Sequence, residues 1–173
     1  CCFCRDRDVV IPPLIGVGAQ AASDLPASLR SALESRRFPR RFFEAKRLLA
    51  SWRGDPNQSD WASPNVRRLL LRHAASPLDA GIGDGTPYKV RITSSSRGWK
   101  FSHKQYVEEL LDSVFCLCPH GWAHWTPRFF EAIQTGCLPV LFKEASALPN
   151  ILPFEGAISY ASFVLVVAPS DVP

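Results

Sequence analysis

The 173-residue sequence contains no methionine, and it has no apolar run of the roughly eighteen residues that a transmembrane helix requires. Because an initiator methionine is missing, we expect this chain to be a piece of a longer protein or a processed product. The charged residues from Arg5 to Asp8 interrupt any apolar signal-peptide core at the start. We therefore expect any membrane anchor or targeting segment to lie upstream of this chain.

Two motifs that would indicate nucleotide or metal binding are incomplete near the start of the chain. The segment Gly16–Gly18 lacks the third glycine of a dinucleotide fingerprint, and no acidic residue stands at the expected spacing on a second strand. The segment Asp6–Asp8 has the form of an Asp-x-Asp metal pair, but it precedes the first predicted strand instead of following its end. We interpret both as chance occurrences.

The six cysteines do not form the two matched ligand pairs that a structural zinc site needs. The run Cys116, Cys118, His120 and His124 has suitable residue types for a metal. However, Cys116 and Cys118 fall on one face of a predicted buried strand, where free cysteines behave as small hydrophobic residues. We therefore predict no metal site. Disulfides would form in an oxidising compartment, but the sequence does not determine their pairing.

The net charge of +4 is distributed unevenly along the chain. Residues 1–75 contain 13 Lys and Arg against 7 Asp and Glu, whereas residues 76–173 contain 7 against 9. A basic half is one property of nucleic-acid-binding proteins. Here the arginines alternate with helix-like hydrophobic residues, and no aromatic stacking platform or DNA-binding motif accompanies them. We predict no nucleic-acid partner, and the positive field also suits a phosphate-bearing substrate.

Residues 113–142, SVFCLCPHGWAHWTPRFFEAIQTGCLPVLF, contain the best-defined succession of structural signals in the chain. An apolar run that ends at Pro119 predicts a buried parallel strand. After a loop, Thr126 and Pro127 are suited to the N-cap and first position of a helix, and Gly136 is suited to its C-cap. The predicted apolar face of this helix consists of Phe129, Phe130, Ala132 and Ile133. A second strand over 137–142 completes a right-handed βαβ unit.

The same βαβ unit predicts an anion site at the start of its helix. Helix starts offer unpaired backbone N–H groups and the positive end of the helix dipole, which suit a phosphate or diphosphate. Gly121 allows close backbone approach, and His120 and Arg128 flank the loop. Glu131 lies about one turn further along the helix, where a carboxylate accepts hydrogen bonds from sugar hydroxyls. A core βαβ unit without a ligand fits the same spacing, so the pattern leaves both interpretations open.

Strand and helix patterns alternate through most of the remaining sequence. Strands are predicted at 8–13, 47–52 and 88–93, with a last strand region at 157–167, and an amphipathic helix is predicted at 25–37. This alternation predicts an α/β, Rossmann-like three-layer domain with a mostly parallel sheet. The carboxyl ends of parallel strands form the ligand edge of such a sheet. Arg53 and Arg97 follow two of these strands and are further phosphate candidates, although Arg53 fits an exposed loop charge equally well.

Two more helices are predicted from capping and periodicity. Ser102 and Gln105 form a capping box. The helix that they open has a stripe that indicates core packing, formed by Tyr106, Val107, Leu110, Leu111 and Val114. A helix that begins near Ser63 has its arginines on the side opposite its apolar residues. We therefore expect Arg67, Arg68 and Arg72 to lie in solvent.

The sequence FCLCPHGWAHWTPRFFEAIQTGCLPVLF resembles the signature of exostosin-family glycosyltransferases, which form glycosyltransferase family 47. The similar features are the strand, the Pro-x-Gly loop, the Arg-x-x-Glu-Ala helix and the Gly-Cys-x-Pro-Val return. Residues 8–13 resemble the early strand of the family, and residues 152–167 resemble its Leu-Pro-Phe element and the strand after it. Three similar pieces in the same order make the resemblance specific.

This resemblance implies that residues 1–173 are the C-terminal, donor-binding half of a two-domain GT-B enzyme whose N-terminal acceptor half is largely absent. It implies inverting, metal-independent transfer of a sugar from a nucleotide sugar, usually a UDP-sugar, to a glycan or glycoprotein. No cofactor is implied, since the helix dipole and basic residues would stabilise the diphosphate leaving group. The implied donor-binding residues are Arg53, Arg97, His120, Gly121, Thr126, Arg128 and, for the ribose, Glu131.

The family also implies a location at the Golgi membrane, on the lumenal face, with a type II anchor upstream and a homodimer or heterodimer as assembly. This chain departs from the family pattern at His120, where a basic or small residue is common, and at Pro127, where Ser or Thr is common. No general base is assigned, because it would lie in the missing half or at the cleft. The sequence therefore also fits a non-catalytic partner subunit that keeps the fold and donor binding.

Overall fold

The computed structural model describes residues 43–56, 65–74, 89–94, 102–120, 126–143, 152–154 and 156–172. Their strands are β1 (Leu48–Gly54), β2 (Lys89–Ser94), β3 (Ser113–Cys118), β4 (Leu138–Phe142) and β5 (Leu165–Val167). Their helices are α1 (Val66–Ala74), α2 (His103–Asp112) and α3 (Pro127–Gln134), with short 3₁₀ turns at Tyr160–Ser162 and Pro169–Asp171. None of the helices in these segments has the length and apolar character that crossing a bilayer requires.

The five strands form one sheet in the order β2-β1-β3-β4-β5, and every neighbouring pair is parallel. The predicted Rossmann-like α/β fold with a mostly parallel sheet is therefore confirmed. Strand β2 lies on one side of β1, and β3 lies on the other. Strand order thus reverses between β1 and β3, which is the position where open α/β sheets bind ligands, outside the carboxyl ends of the strands.

The sheet separates two cores, which gives the three predicted layers. On one face, α1 packs against a cluster of Trp52, Val66, Leu70, Val140 and Phe142. On the other face, α2 and α3 pack against a cluster of Leu110, Cys116, Ala132 and Cys137. Helices lie on opposite faces because the chain moves in opposite directions across the sheet, and right-handed crossovers then place them on opposite sides.

The structure pairs Cys116 with Cys137 in a disulfide, with Cα atoms 5.8 Å apart. The expectation that Cys116 is a free, small hydrophobic residue is therefore wrong. The physical reason is the short βαβ return, which aligns Cys116 with Pro139 across the β3–β4 pair and brings Cys137, two residues before Pro139, within bonding range. The buried Cys118 is the free thiol among the described residues.

Helix α3 agrees with most of its predicted signals. Pro127 occupies its first turn, and Gly136 adopts a left-handed φ of 63° at its end, as a C-cap glycine does. Thr126 is at the N-cap position, but its hydroxyl makes no capping hydrogen bond. The predicted apolar face is too wide: Phe129 and Ala132 are buried, whereas Ile133 is 37% exposed.

Other boundaries differ from the predictions in identifiable ways. The capping box of Ser102 and Gln105 is confirmed, but α2 ends at Asp112 and Val114 belongs to β3. The predicted last strand over 157–167 is a 3₁₀ turn followed by the three residues of β5, since hydrogen bonds within residues 157–164 form turns instead of a ladder. The predicted strand 8–13 and helix 25–37 lie outside the described residues.

Candidate functional site

The site lies where β1 and β3 end, at the reversal of strand order. Arg53 is the sixth residue of the seven-residue β1, and His120 follows β3 by two residues. Helix α3 begins close to the same edge, since Arg128 in its first turn donates a hydrogen bond to the backbone of Arg53. On the side of β1 that faces away from β3, the strand register places Arg53 opposite Thr93 of β2. Of the predicted donor residues, the fold therefore gathers Arg53, His120 and the start of α3 at one sheet edge.

Arg128 extends from the first turn of α3 across β3 to β1. Its Nη2 atom donates a hydrogen bond to the backbone carbonyl of Arg53. Its guanidinium carbon lies 5.1 Å from the centre of the Tyr106 ring, a cation–π distance. Its Nη1 atom is buried and has no hydrogen-bond partner among the described residues. Arg128 thus brings a fixed positive charge and a donor to the end of β1.

Glu131 and Arg128 both contact the side chain of Tyr106. The Tyr106 hydroxyl, from α2, donates a hydrogen bond to Oε2 of Glu131. Burial raises the pKa of Tyr106 far above its usual value, and the nearby Glu131 carboxylate raises it further against the opposing effect of Arg128. The hydroxyl therefore stays protonated and acts as the donor. One carboxylate oxygen of Glu131 is occupied in this way.

Arg53 is directed toward α2 and forms an ion pair with Glu109. Arg53 Nη2 lies 2.5 Å from Glu109 Oε2, with 12% of the Arg53 side chain and 2% of the Glu109 side chain exposed. A buried carboxylate needs such a partner because burial without one is costly. The interpretation of Arg53 as an exposed loop charge is therefore wrong. Its proposed contact with a phosphate stays a prediction.

Arg67 connects the loops that follow β1 and β3. Its Nε atom donates to the carbonyl of His120 at 2.7 Å, and its Nη1 atom donates to the carbonyl of Asp55 at 3.0 Å. Its guanidinium also lies 5.9 Å from the ring centre of Trp52. The expectation that Arg67 lies in solvent is wrong, because its buried side chain donates to backbone carbonyls that follow two different strands. Arg68 and Arg72 of the same helix are exposed, as expected.

Comparison with known proteins assigns the chain to a family. Residues 3–173 match the Exostosin GT47 domain. The chain belongs to this family. One relative is the "Probable glucuronosyltransferase GUT1" of Oryza sativa subsp. japonica, 44% identical over 68 residues, which are 39% of this chain and 15% of the relative. Another is the "Probable beta-1,4-xylosyltransferase IRX10" of Arabidopsis thaliana, 43% identical over 68 residues, which are 39% of this chain and 16% of the relative.

Three polar residues of this exostosin-family site were not identified from the sequence. The sequence pattern predicts that Tyr106 packs in the core and that Arg67 lies in solvent, and it does not single out Glu109. For Glu109 a signal exists, because it lies three residues after Tyr106 and therefore on the same side of the helix, where a carboxylate interrupts an apolar stripe. For Arg67 the helical pattern gave none, since its partners are backbone carbonyls of distant loops.

Two predicted donor residues, Arg97 and Gly121, lie outside the residues that the structure describes. Within the described segments, no three His, Cys, Asp or Glu side chains are grouped so that they could hold a metal ion. The prediction of metal-independent transfer stays a prediction. The buried Cys118 thiol, whose pKa is raised to about 12 mainly by burial, is protonated at neutral pH and is not an ionised ligand.

Proposed function

We propose that this chain is the donor-binding half of a GT-B glycosyltransferase. In this proposal it binds a nucleotide sugar, with UDP-sugar as the preferred class, for transfer to a glycan or glycoprotein acceptor. The diphosphate lies against the start of α3 beside Arg128, and Glu131 binds the ribose. Transfer is inverting and needs neither a metal nor a cofactor, because positive groups at this edge offset the charge of the departing diphosphate.

The observation that carries the proposal is the position of Arg128 at the β1–β3 reversal. Its buried Nη1 donor, unbonded among the described residues, lies at the edge where parallel sheets bind ligands. A guanidinium suits phosphate recognition because its charge is permanent and its donors are arranged in a plane. The adjoining helix start adds backbone donors of the same electrostatic sign.

The relatives support the class of reaction. Their names describe a glucuronosyltransferase and a xylosyltransferase, and both reactions transfer a sugar from an activated donor. The matched segments span 15% and 16% of those relatives, so the activity of a complete protein is part of the proposal. Glucuronosyl and xylosyl groups are both candidates for the transferred sugar.

We further propose that the domain works on the lumenal side of the Golgi membrane, anchored by a segment upstream. The Cys116–Cys137 disulfide supports an oxidising compartment, because structural disulfides persist there and are rare in the cytosol. Assembly as a homodimer or heterodimer is part of the same proposal.

The first test is calorimetric titration of the full-length protein with UDP in the absence of divalent metal. We expect binding, and we expect Arg128→Met to weaken it about 10-fold to 100-fold, the effect of losing a charged hydrogen bond. Arg68→Met is the matched control, since it removes an exposed arginine of α1 and should leave UDP affinity unchanged. No binding at millimolar UDP would contradict the proposal.

The second part of this test is a transfer assay on Glu131→Ala. Loss of transfer would support the proposal that the protein is a glycosyltransferase. Unchanged transfer would show that the placement of the ribose at Glu131 is wrong. UDP binding by a wild-type protein that transfers no sugar from any UDP-sugar would instead identify a non-catalytic partner subunit.

A further inference from the structure

Tyr106 contacts two charged side chains of the proposed donor site, Arg128 and Glu131. Its ring supports the Arg128 guanidinium at 5.1 Å, and its hydroxyl donates to Oε2 of Glu131. These two residues are on α3, three positions apart, whereas Tyr106 is on α2. One side chain from a neighbouring helix therefore restrains the phosphate-binding and ribose-binding groups together.

The backbone around Tyr106 is itself restrained. Tyr106 occupies the first turns of α2, where the capping box of Ser102 and Gln105 fixes the helix start. Its backbone N–H donates to the carbonyl of Ser102 at 3.2 Å. The ring also contacts the core cluster that contains Cys116 and Cys137. Because Tyr106 is held in place, its contacts restrict Arg128 and Glu131, two long side chains that would otherwise sample several rotamers.

The hydroxyl contact determines how Glu131 presents its carboxylate. With Oε2 bonded to Tyr106, Oε1 is the oxygen available for a sugar hydroxyl, and the carboxylate cannot rotate without losing the bond. Arg128 is held in the same way at its Nη2 end by the Arg53 carbonyl, which directs Nη1 elsewhere. In Glu131 and in Arg128, therefore, one polar atom bonds to the protein and the other is assigned to the ligand.

We propose that Tyr106 is a positioning residue that sets ribose recognition by Glu131 and phosphate recognition by Arg128. This inference rests on the proposed function, because it assumes that the two groups bind a nucleotide diphosphate. Tyr106 itself touches no reacting atom. Its hydroxyl acts on the ribose through Glu131, and its ring acts on the diphosphate through Arg128.

The test is the discrimination between UDP and its 2′-deoxy and 3′-deoxy analogues, measured by calorimetry on the full-length protein. Tyr106→Phe keeps the ring and removes the hydroxyl, so we expect UDP affinity to fall about tenfold, the effect of one charged hydrogen bond. The affinity for whichever deoxy analogue lacks the recognised hydroxyl should fall much less. Tyr106→Leu also removes the ring, and we expect UDP and both analogues to bind more weakly still.

Tyr160→Phe is the matched control. It removes a hydroxyl that donates to the Pro153 carbonyl at 2.7 Å and keeps the ring beside Phe129. We expect Tyr160→Phe to cause a small loss of stability, like Tyr106→Phe, and to leave the discrimination between UDP and its deoxy analogues unchanged. If Tyr106→Phe does not fold, Tyr106→Leu, which also lacks the hydroxyl, provides the same comparison, and we expect it to lose affinity for UDP more than for the deoxy analogue that lacks the recognised hydroxyl.

The outcomes separate the inference from the proposed function. If the wild-type protein binds UDP and Tyr106→Phe binds it equally well, the positioning role is wrong and the proposed function stands. Equal losses for UDP and both deoxy analogues would also overturn the inference, because they indicate a general structural role. If the wild-type protein fails to bind UDP, the proposed function is wrong and the inference is wrong with it.

Discussion

At the residue scale, the charged side chains near the β1–β3 edge are placed by specific partners. Glu109 is 4% exposed, and its Oε2 atom contacts Arg53. Its second carboxylate oxygen is buried and has no hydrogen-bond partner among the described residues. The pair is therefore asymmetric: the Glu109 carboxylate depends on Arg53 for most of its compensation. Removing one partner of a buried pair leaves an uncompensated charge, which destabilises a fold more than removing both.

We expect Glu109→Ala to lower the free energy of unfolding by about 3–5 kcal/mol, since it removes one partner of the buried ion pair with Arg53. Urea unfolding measures the effect. Glu108→Ala is the control, because Glu108 is exposed on the same helix and its loss should change stability by less than about 0.5 kcal/mol. Replacing both partners, by Arg53→Met with Glu109→Leu, should recover much of the loss. Equal effects of the two alanine variants would refute this account of the ion pair.

At the element scale, the βαβ unit of β3, α3 and β4 is closed covalently. The disulfide joins Cys116 in the middle of β3 to Cys137 just before β4, and the two cysteines are 21 positions apart in sequence. The closed loop contains all of α3 and the residues that the proposal assigns to the diphosphate and ribose. A cross-link of this kind lowers the conformational entropy of the unfolded chain and thereby favours the folded unit.

A loop of this length predicts that the disulfide contributes about 3 kcal/mol to stability. We expect dithiothreitol to lower the thermal midpoint of the wild-type protein and to have no effect on the double variant Cys116→Ala, Cys137→Ala. Cys118→Ala serves as control, since it removes the buried free thiol and should keep the sensitivity to reductant. A wild-type midpoint that is the same with and without reductant would disprove the contribution.

At the scale of the whole molecule, Lys46 connects the start of β1 to the junction of α2 and β3. Its Nζ atom donates to the carbonyls of Leu111 and Ser113 at 2.8 and 2.9 Å. Burial lowers the pKa of Lys46 from 10.5 to about 8, and the nearby Asp112 carboxylate opposes this only in part. The folded protein therefore releases this proton at a lower pH than the unfolded chain.

This shift predicts that Lys46 makes the protein more stable as the pH rises from about 8 to about 10.5. In that window the unfolded chain binds the proton more tightly than the folded one, so the free energy of unfolding increases with pH. The gain amounts to roughly 3 kcal/mol relative to Lys46→Met, in which it is absent. Lys104→Met, on the exposed face of α2, should keep the wild-type slope. Parallel wild-type and Lys46→Met curves, from urea unfolding across this range, would contradict the shift.

Most of the described fold was predictable from local sequence. Breakers and caps such as Pro119, Pro127 and Gly136 delimit the βαβ unit, and the capping box at Ser102 locates the start of α2. These signals depend on backbone geometry within a few residues, so they are read without knowledge of the fold. The 3₁₀ turn at Tyr160–Ser162 is not predicted because it lies within the largely apolar segment 157–167, and a short apolar segment also fits a strand.

The amino-acid sequence by itself determined the alternation of strands and helices, the family, and the presence of Arg128 and Glu131 on one helix. Only the tertiary structure decided which distant side chains meet them: Tyr106 beside both, Glu109 against Arg53, and Cys137 bonded to Cys116. The reason is physical. Periodicity and capping arise from neighbours in the chain, whereas ion pairs, stacking and disulfides depend on strand order and register, which the packing of the whole sheet sets.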